Sequence, residues 1–222
     1  MTLLDLSRGE ISGLSLFSDV VDAALSQRIR QQLLHPKHHR SSEIVIGTER
    51  HPTPRLTSSY SDVPLSLDGM DISQPWTVEL SALRDTIGQR FGLTFNYALA
   101  NLYRHRLDFT GWHSDKAWLH QPGSTIAIIS FGATRTLAVR ARGTSSVTRL
   151  SLTDASAVLM DLDLQATHEH CIPAEPEDVD LRLSITLRHI EILPEYLDSS
   201  RRRRRRDGVT TTERNKANAV HG

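Results

Sequence analysis

At 222 residues the chain is long enough for one domain with a sizeable core, and its Lys+Arg 26 balance its Asp+Glu 26 to a formal net charge of zero. That balance hides an uneven distribution: six arginines stand in one run, Arg201 to Arg206, so the remainder is mildly acidic and the average charge neither favours nor excludes a polyanionic partner. The single Cys171 excludes an internal disulfide framework, no apolar run approaches the roughly 20 residues that span a bilayer, and the N-terminus lacks a signal-peptide pattern, so a soluble, cytoplasmic, monomeric protein is expected.

Residues 1–18 read as an irregular or extended lead-in. From Asp19 the residues Val20, Val21, Ala24, Leu25, Ile29 and Leu33 fall near helical spacing, with Ser18 or Asp19 as N-cap and Pro36 as the stop. The segment from His35 to Ser42 reads as a basic loop, and Ile44-Val45-Ile46 as a short extended run. The two prolines between Arg50 and Asp62 exclude helix and predict an extended, exposed loop. A second helix is expected over Trp76 to Phe91, with Val78, Leu80, Leu83 and Ile87 near one face and Gly92 as its end.

Beyond Gly92 the pattern changes to a period of two. Phe95, Tyr97, Leu99, Asn101 and Tyr103 alternate with Asn96, Ala98, Ala100 and Leu102. Further short strands are expected over 125–131, 134–140, 147–152, 157–161 and 181–190, with no helical pattern between them, which predicts an antiparallel sandwich or barrel.

Two constellations carry chemistry. His113 and Asp115 stand two apart, so on extended backbone both project to one side, and a second histidine downstream would complete a 2-His-1-carboxylate set of the kind that binds non-haem Fe(II). On spacing alone His168 and His170 are both eligible; Pro173 shortly after favours His170. The second constellation is the strand in which Arg182, Ser184, Thr186 and Arg188 share one face. Two arginines facing a barrel interior need anionic partners, and a small dicarboxylate gripped by two guanidinium forks meets that need. Asn101 and Tyr103 form a second polar pair on one face that would complete such a pocket.

The order Asn101-x-Tyr103, His113-x-Asp115, His170 with Pro173, and Arg182-x-Ser184-x-Thr186-x-Arg188 resembles the AlkB family of Fe(II)/2-oxoglutarate dioxygenases. Pro54-Arg55 followed by Tyr60, Pro75-Trp76, Thr94-Phe95-Asn96, Ser130-Phe131-Gly132-Ala133 and Leu159-Met160 extend the likeness over about residues 45–190, closest to the animal DNA-repair members. The resemblance implies a mostly β fold with flanking helices, a double-stranded β-helix or jelly roll. It implies Fe(II) on His113, Asp115 and His170, with 2-oxoglutarate and O2 as co-substrates. Arg188 and Asn101 would hold the C1 end of 2-oxoglutarate and Arg182 and Tyr103 its distal carboxylate, with Ser184 and Thr186 lining the same site; no catalytic residue is needed beyond the metal centre. Arg55 and Tyr60 would belong to a substrate lid, and Trp112 would contact the base. Oxidative dealkylation of N-alkylated bases in DNA or RNA follows as the expected function. The expected domains are an N-terminal extension over 1–44, the dioxygenase domain over 45–194, and a disordered Arg-rich tail over 195–222, whose arginine run is a solubility tail, a phosphate-binding anchor or a product of readthrough at the coding level.

The chain departs from the repair members after Asp115, where Lys116-Ala117-Trp118-Leu119-His120 replaces acidic residues, one of which helps read the damaged base, and at His168, a place often held by an aromatic residue. The first departure motivates a second reading, a hydroxylase of a small molecule or a protein side chain on the same iron site. A non-catalytic reading, a jelly-roll nucleic-acid-binding protein with a degenerate metal site, is opposed by the intact ligand set and both arginines.

Overall fold

A computed structural model describes residues 11–46, 48–67 and 72–197. Eleven strands and four helices follow in order: β1 Leu14–Phe17, α1 Ala23–Leu33, β2 Arg40–Ile46, β3 Glu49–Ser61, α2 Val78–Phe91, β4 Tyr97–Tyr103, β5 Thr110–His113, β6 Thr125–Gly132, β7 Arg135–Ala141, β8 Thr148–Leu152, β9 Ala157–Asp161, α3 Leu164–Thr167, β10 His168–Ile172, β11 Arg182–Arg188 and α4 Pro194–Leu197. They form a seven-stranded sheet, β1-β9-β6-β11-β4-β3-β2, facing a four-stranded sheet, β5-β10-β7-β8. The ladders within both sheets are antiparallel, the jelly-roll arrangement expected.

Period-two alternation divides the large sheet into two faces. Ala98, Ala100, Leu102, Ala127, Ile129, Phe131, Leu183, Ile185 and Leu187 turn outward and are covered by Leu25, Ile29 and Leu33 of α1 and Leu80, Leu83 and Ile87 of α2. The opposite face of β6 and β9 packs Ile126, Ile128, Val158 and Met160 against Leu137, Val139, Leu150 and Leu152 of the small sheet. Where β4 and β11 lie side by side, that inner face carries polar residues instead. Tyr103 stands opposite Arg182 and Asn101 opposite Ser184 in the ladder.

Several expectations are corrected. The N-cap of α1 is Asp22, whose carboxylate accepts from the Leu25 amide at 2.8 Å. Asp19 has a positive φ of 50° and so precedes the helix, although Val20 and Val21 are still buried in the helix-side core. Val78, expected on the packed face, is the first residue of α2 and is 80% exposed. Within the lead-in, Leu14–Phe17 are extended as an edge strand, β1, paired with β9. The expected boundary between residues 44 and 45 falls inside β2, and α1 shares one core with α2 and the sheet, so the N-terminal segment is no extension. The one-turn α3 was not legible as a helix.

The largest correction concerns residues 50–61, which form strand rather than loop. Pro52 pairs only toward β2, and the β3–β4 ladder begins at Leu56, past both prolines. Prolines lack an N–H and are tolerated where one side of a strand has no ladder to satisfy, here beside a register shift between Ser41 and Glu43. The expected tail lies outside the described residues from 198 onward.

Gly132, at the end of β6, fixes the approach of β11. Its φ is +89°, and a Cβ there would stand 2.4 Å from the Leu181 carbonyl oxygen. Gly132→Ala is expected to destabilise the fold by about 3 kcal/mol or more, the sum of left-handed strain and overpacking. Gly92→Ala, with φ +69° and nothing within 4 Å, should lose only the strain, about 1–2 kcal/mol. Guanidinium unfolding of both variants measures the difference.

Candidate active site

The site forms where the small sheet's β5 and β10 meet the polar face of β4 and β11. His113 ends β5 and pairs in register with His170 of β10, which brings the two imidazoles to 4.3 Å between ring centroids. The Nδ1–H of His113 donates to the Gly111 carbonyl at 2.8 Å, which leaves Nε2 as the free lone pair. Asp115 lies just past β5. Its backbone N–H donates to Gln165 Oε1 at 2.9 Å, and its carboxylate accepts from Arg188 Nη2 at 2.7 Å.

Electrostatics keep these groups in the forms a metal requires. Burial pushes His170 down to about 4, with His113 adding to the effect against the pull of Asp115, so the ring stays neutral at physiological pH. Burial alone would raise the Asp115 carboxyl, but Arg188, His170, His113 and His120 outweigh it and hold it below the usual carboxylate range.

The depressed His170 makes a prediction for the metal-free protein. Above pH 6.5 the ring is neutral in both folded and unfolded chains; below it only the unfolded chain takes up the proton, so stability falls as pH drops from about 6.5 to about 4. The full loss is of the order of 3 kcal/mol. Urea unfolding of wild type and His170→Asn across that pH range measures it, and the variant should show the shallower slope.

The arginine strand lies across the cleft. Arg182 is 0% exposed and donates from Nη2 to Ser130 Oγ at 2.9 Å, while its Nε and Nη1 are buried without a partner. Burial lowers its pKa to about 10, with Tyr103 opposing and the neighbouring Arg135 adding to the fall. Ser184 and Thr186 are buried between the two arginines, and Arg188 has a buried, unpartnered Nε. Tyr103 hydrogen-bonds through its hydroxyl with Thr110 Oγ1 at 2.8 Å, and Asn101 Oδ1 accepts from Arg55 Nε at 2.8 Å.

Not every expected residue is brought here. Tyr60 pairs with Ala98 and lies in the helix-side core, 3% exposed, so the placement expected for a substrate lid is not found. Its neighbours explain this: Leu56, Ser58 and Tyr60 share one face of β3, whereas Arg55 lies on the other and reaches Asn101. His168 hydrogen-bonds with Thr167 Oγ1 at 2.8 Å and is an exposed contact at the strand start. Trp112 is 37% exposed at the rim, with the Arg140 guanidinium 4.0 Å above its ring. Cys171 is buried and its thiol is pushed up by burial.

Residues not singled out from sequence also enter. Gln165, held by α3, positions Asp115. Ser114 Oγ donates to the His168 carbonyl at 2.6 Å and ties the metal loop to β10. His120, buried, hydrogen-bonds through Nδ1 with the Lys116 carbonyl at 3.0 Å, and burial, then Arg188, lowers its pKa.

The profile of the 2OG-Fe(II) oxygenase superfamily matches residues 13–188. The chain belongs to that superfamily. Its relatives include DNA oxidative demethylase ALKBH2 of Homo sapiens, 33% identical over 151 residues that cover 63% of this chain and 58% of that one. Alpha-ketoglutarate-dependent dioxygenase alkB homolog 3 of Homo sapiens is 27% identical over 198 residues, 84% of this chain and 69% of that one. The chain thus spans well under the full length of these relatives, and the match places it with the AlkB-type oxygenases. The structure of OsALKBH1 superposes with a TM-score of 0.59 at 14% identity over 82% of this chain and all of that one, a likeness of fold.

The superfamily's cofactors are Fe(II) and 2-oxoglutarate. Among the described residues no three His, Cys, Asp or Glu side chains are posed as a closed metal cage, and the Asp115 carboxylate bonds Arg188. The donor set itself fits iron: two imidazoles, one neutral by burial and one with Nε2 freed, and one carboxylate kept ionised. The orphaned guanidinium nitrogens of Arg182 and Arg188 fit an anionic co-substrate.

Proposed function

We propose that the chain is an Fe(II)/2-oxoglutarate-dependent dioxygenase that removes alkyl groups from N-alkylated nucleobases of DNA or RNA. The observation that carries this reading is the buried Arg182 guanidinium, whose Nε and Nη1 have no partner, on the strand that also presents Arg188 to Asp115 beside the His113–His170 pair. His113, Asp115 and His170 would hold the iron; Arg188 and Asn101 would hold the C1 end of 2-oxoglutarate, and Arg182 and Tyr103 its distal carboxylate, between Ser184 and Thr186. Iron and 2-oxoglutarate held there would supply, with O2, the oxidising power to hydroxylate an N-alkyl carbon, with succinate and CO2 as co-products and collapse of the hydroxyalkyl amine to the free base and an aldehyde.

The protein's part is to bind, orient and exclude water. Asp115 exchanges no proton: its carboxyl is held ionised, and Gln165 fixes the backbone beneath it. Neutral His170 stays a donor down to low pH. Tyr103 and Ile172 are buried with the sandwich core, which keeps water from that side of the site.

The rim supports a nucleic-acid substrate. Phe109, Trp112 and Trp118, on the segment that carries His113 and Asp115, are exposed, the Arg140 guanidinium lies over Trp112, and the Lys116 ammonium is 5.8 Å from the Trp118 ring centroid. Aromatic faces beside cations suit stacked bases and phosphates, and a base inside a duplex would have to be flipped to reach the iron site. Lys116 and Ala117, which follow Asp115 directly, favour the second reading, hydroxylation of a small molecule or protein side chain. Succinate formation separates the two. It should be stimulated by oligonucleotides carrying 1-methyladenine or 3-methylcytosine; stimulation by free amino acids or metabolites alone supports the second reading.

A further inference from the structure

Two buried guanidiniums converge on one aromatic ring in this molecule. The Cζ of Arg182 lies 5.2 Å and that of Arg135 5.3 Å from the centroid of the Tyr103 ring. Both arginines are 1% exposed or less. Arg135 is locked from three directions: Nε donates to Glu175 Oε1 at 3.1 Å, and Nη2 donates to the carbonyls of Asp108 and Pro173, both at 2.7 Å. Its Nη1 is buried without a partner.

The charges in this corner do not cancel. Glu175 is the carboxylate bonded to Arg135; the neighbouring Asp108 carboxylate is occupied by Arg104, and Arg182 has only hydroxyls among its partners. Among the described residues Arg182 thus has no carboxylate partner, and a buried cation without one is costly unless a ligand supplies the negative charge. The proximity is felt in Arg182 itself, whose pKa Arg135 helps to lower.

We propose that Arg135 is a positioning residue for the distal carboxylate of 2-oxoglutarate, holding Tyr103 in place and adding a second guanidinium at the Arg182 end of the cleft. The site thereby selects a 2-oxo acid with a second carboxylate over a monocarboxylate. This rests on the dioxygenase reading of the site. The cation–ring contact fixes the Tyr103 plane, and in a low-dielectric pocket a second guanidinium acts on an anion without touching it.

The test is calorimetric binding of 2-oxoglutarate and of 2-oxobutyrate, which lacks the distal carboxylate, to the Fe(II)-loaded protein under nitrogen, so that no turnover enters. Arg135→Met should weaken 2-oxoglutarate binding about tenfold and leave 2-oxobutyrate within about twofold, because only the former has charge at that end. Arg135→Lys should retain most of the selectivity. Glu175→Gln, which frees the charge of Arg135, should leave 2-oxoglutarate binding unchanged or tighter. Equal losses for both acids, unchanged 2-oxoglutarate binding in folded Arg135→Met, or a loss in Glu175→Gln would show that Arg135 is only a structural clip. Should Arg135→Met fail to fold, the lysine and Glu175 variants decide. If the unaltered protein binds neither acid, the dioxygenase reading itself falls, a result distinct from loss of selectivity in the variants.

Discussion

An Asp115→Ala protein should lose at least about 100-fold in iron affinity, beyond the 10- to 100-fold typical of losing an outer partner of a metal ligand, and with it all detectable aldehyde release. It should also be less stable without metal. Asp115 and Arg188 form a pair with side chains 10% and 15% exposed, and removing the carboxylate strands the guanidinium. Breaking a buried pair from one side costs about 3–5 kcal/mol. His113→Ala removes a ligand without breaking that pair, so it should lose iron affinity with a much smaller change in metal-free stability. Guanidinium unfolding of the two metal-free variants, alongside iron titration, separates the roles. Equal destabilisation would show that the Asp115–Arg188 pair does not carry the stability assigned to it.

Arg182→Met is expected to move stability and function in opposite directions. The guanidinium is fully buried with two nitrogens unpartnered, so replacing it with an apolar chain of similar length removes an uncompensated charge. Such replacements are commonly neutral or stabilising by about 1–4 kcal/mol, and here the orphaning of Ser130 Oγ offsets part of the gain. Affinity for 2-oxoglutarate should meanwhile fall more than about 100-fold, the equivalent of two charge-assisted hydrogen bonds. Melting temperatures with and without 2-oxoglutarate read both effects: the variant should melt at or above wild type alone and gain nothing from the ligand. A variant that melts far below wild type but still responds to 2-oxoglutarate would assign Arg182 a purely structural role.

The polar strand was legible because alternation in β4 and β11 assigns faces without knowledge of the partner. Asn101 and Tyr103, and Arg182, Ser184, Thr186 and Arg188, share a face by period alone, and the ladder then sets Tyr103 opposite Arg182 and Asn101 opposite Ser184. The convergence of His113 and His170 needed more than spacing, since it is made by the β5–β10 register, 57 residues apart in sequence. Tyr60 shows the limit in the other direction. Two prolines in its strand suggested a loop, and only the β3–β4 pairing shows that alternation sends the ring to the helix-covered core.

Arg135 and Gln165 were invisible for a related reason. Each acts through contacts with residues far away in sequence, and neither belongs to a local pattern that sets it apart from an ordinary strand or helix residue. The same holds for β1 and α1. The first read as an irregular or extended lead-in and the second as an amphipathic helix; the structure uses them as a strand paired with β9 and as half the cover of the large sheet.

The central claim is that one cleft couples 2-oxoglutarate turnover to loss of an alkyl group from a base. The direct measurement is the molar ratio of formaldehyde to succinate formed from an oligonucleotide carrying a single 3-methylcytosine, with Fe(II) present and oligonucleotide in excess. A ratio near one, with both products lost in His113→Ala, is the result expected. Succinate formed at the same rate with and without the oligonucleotide, and no formaldehyde, would contradict it.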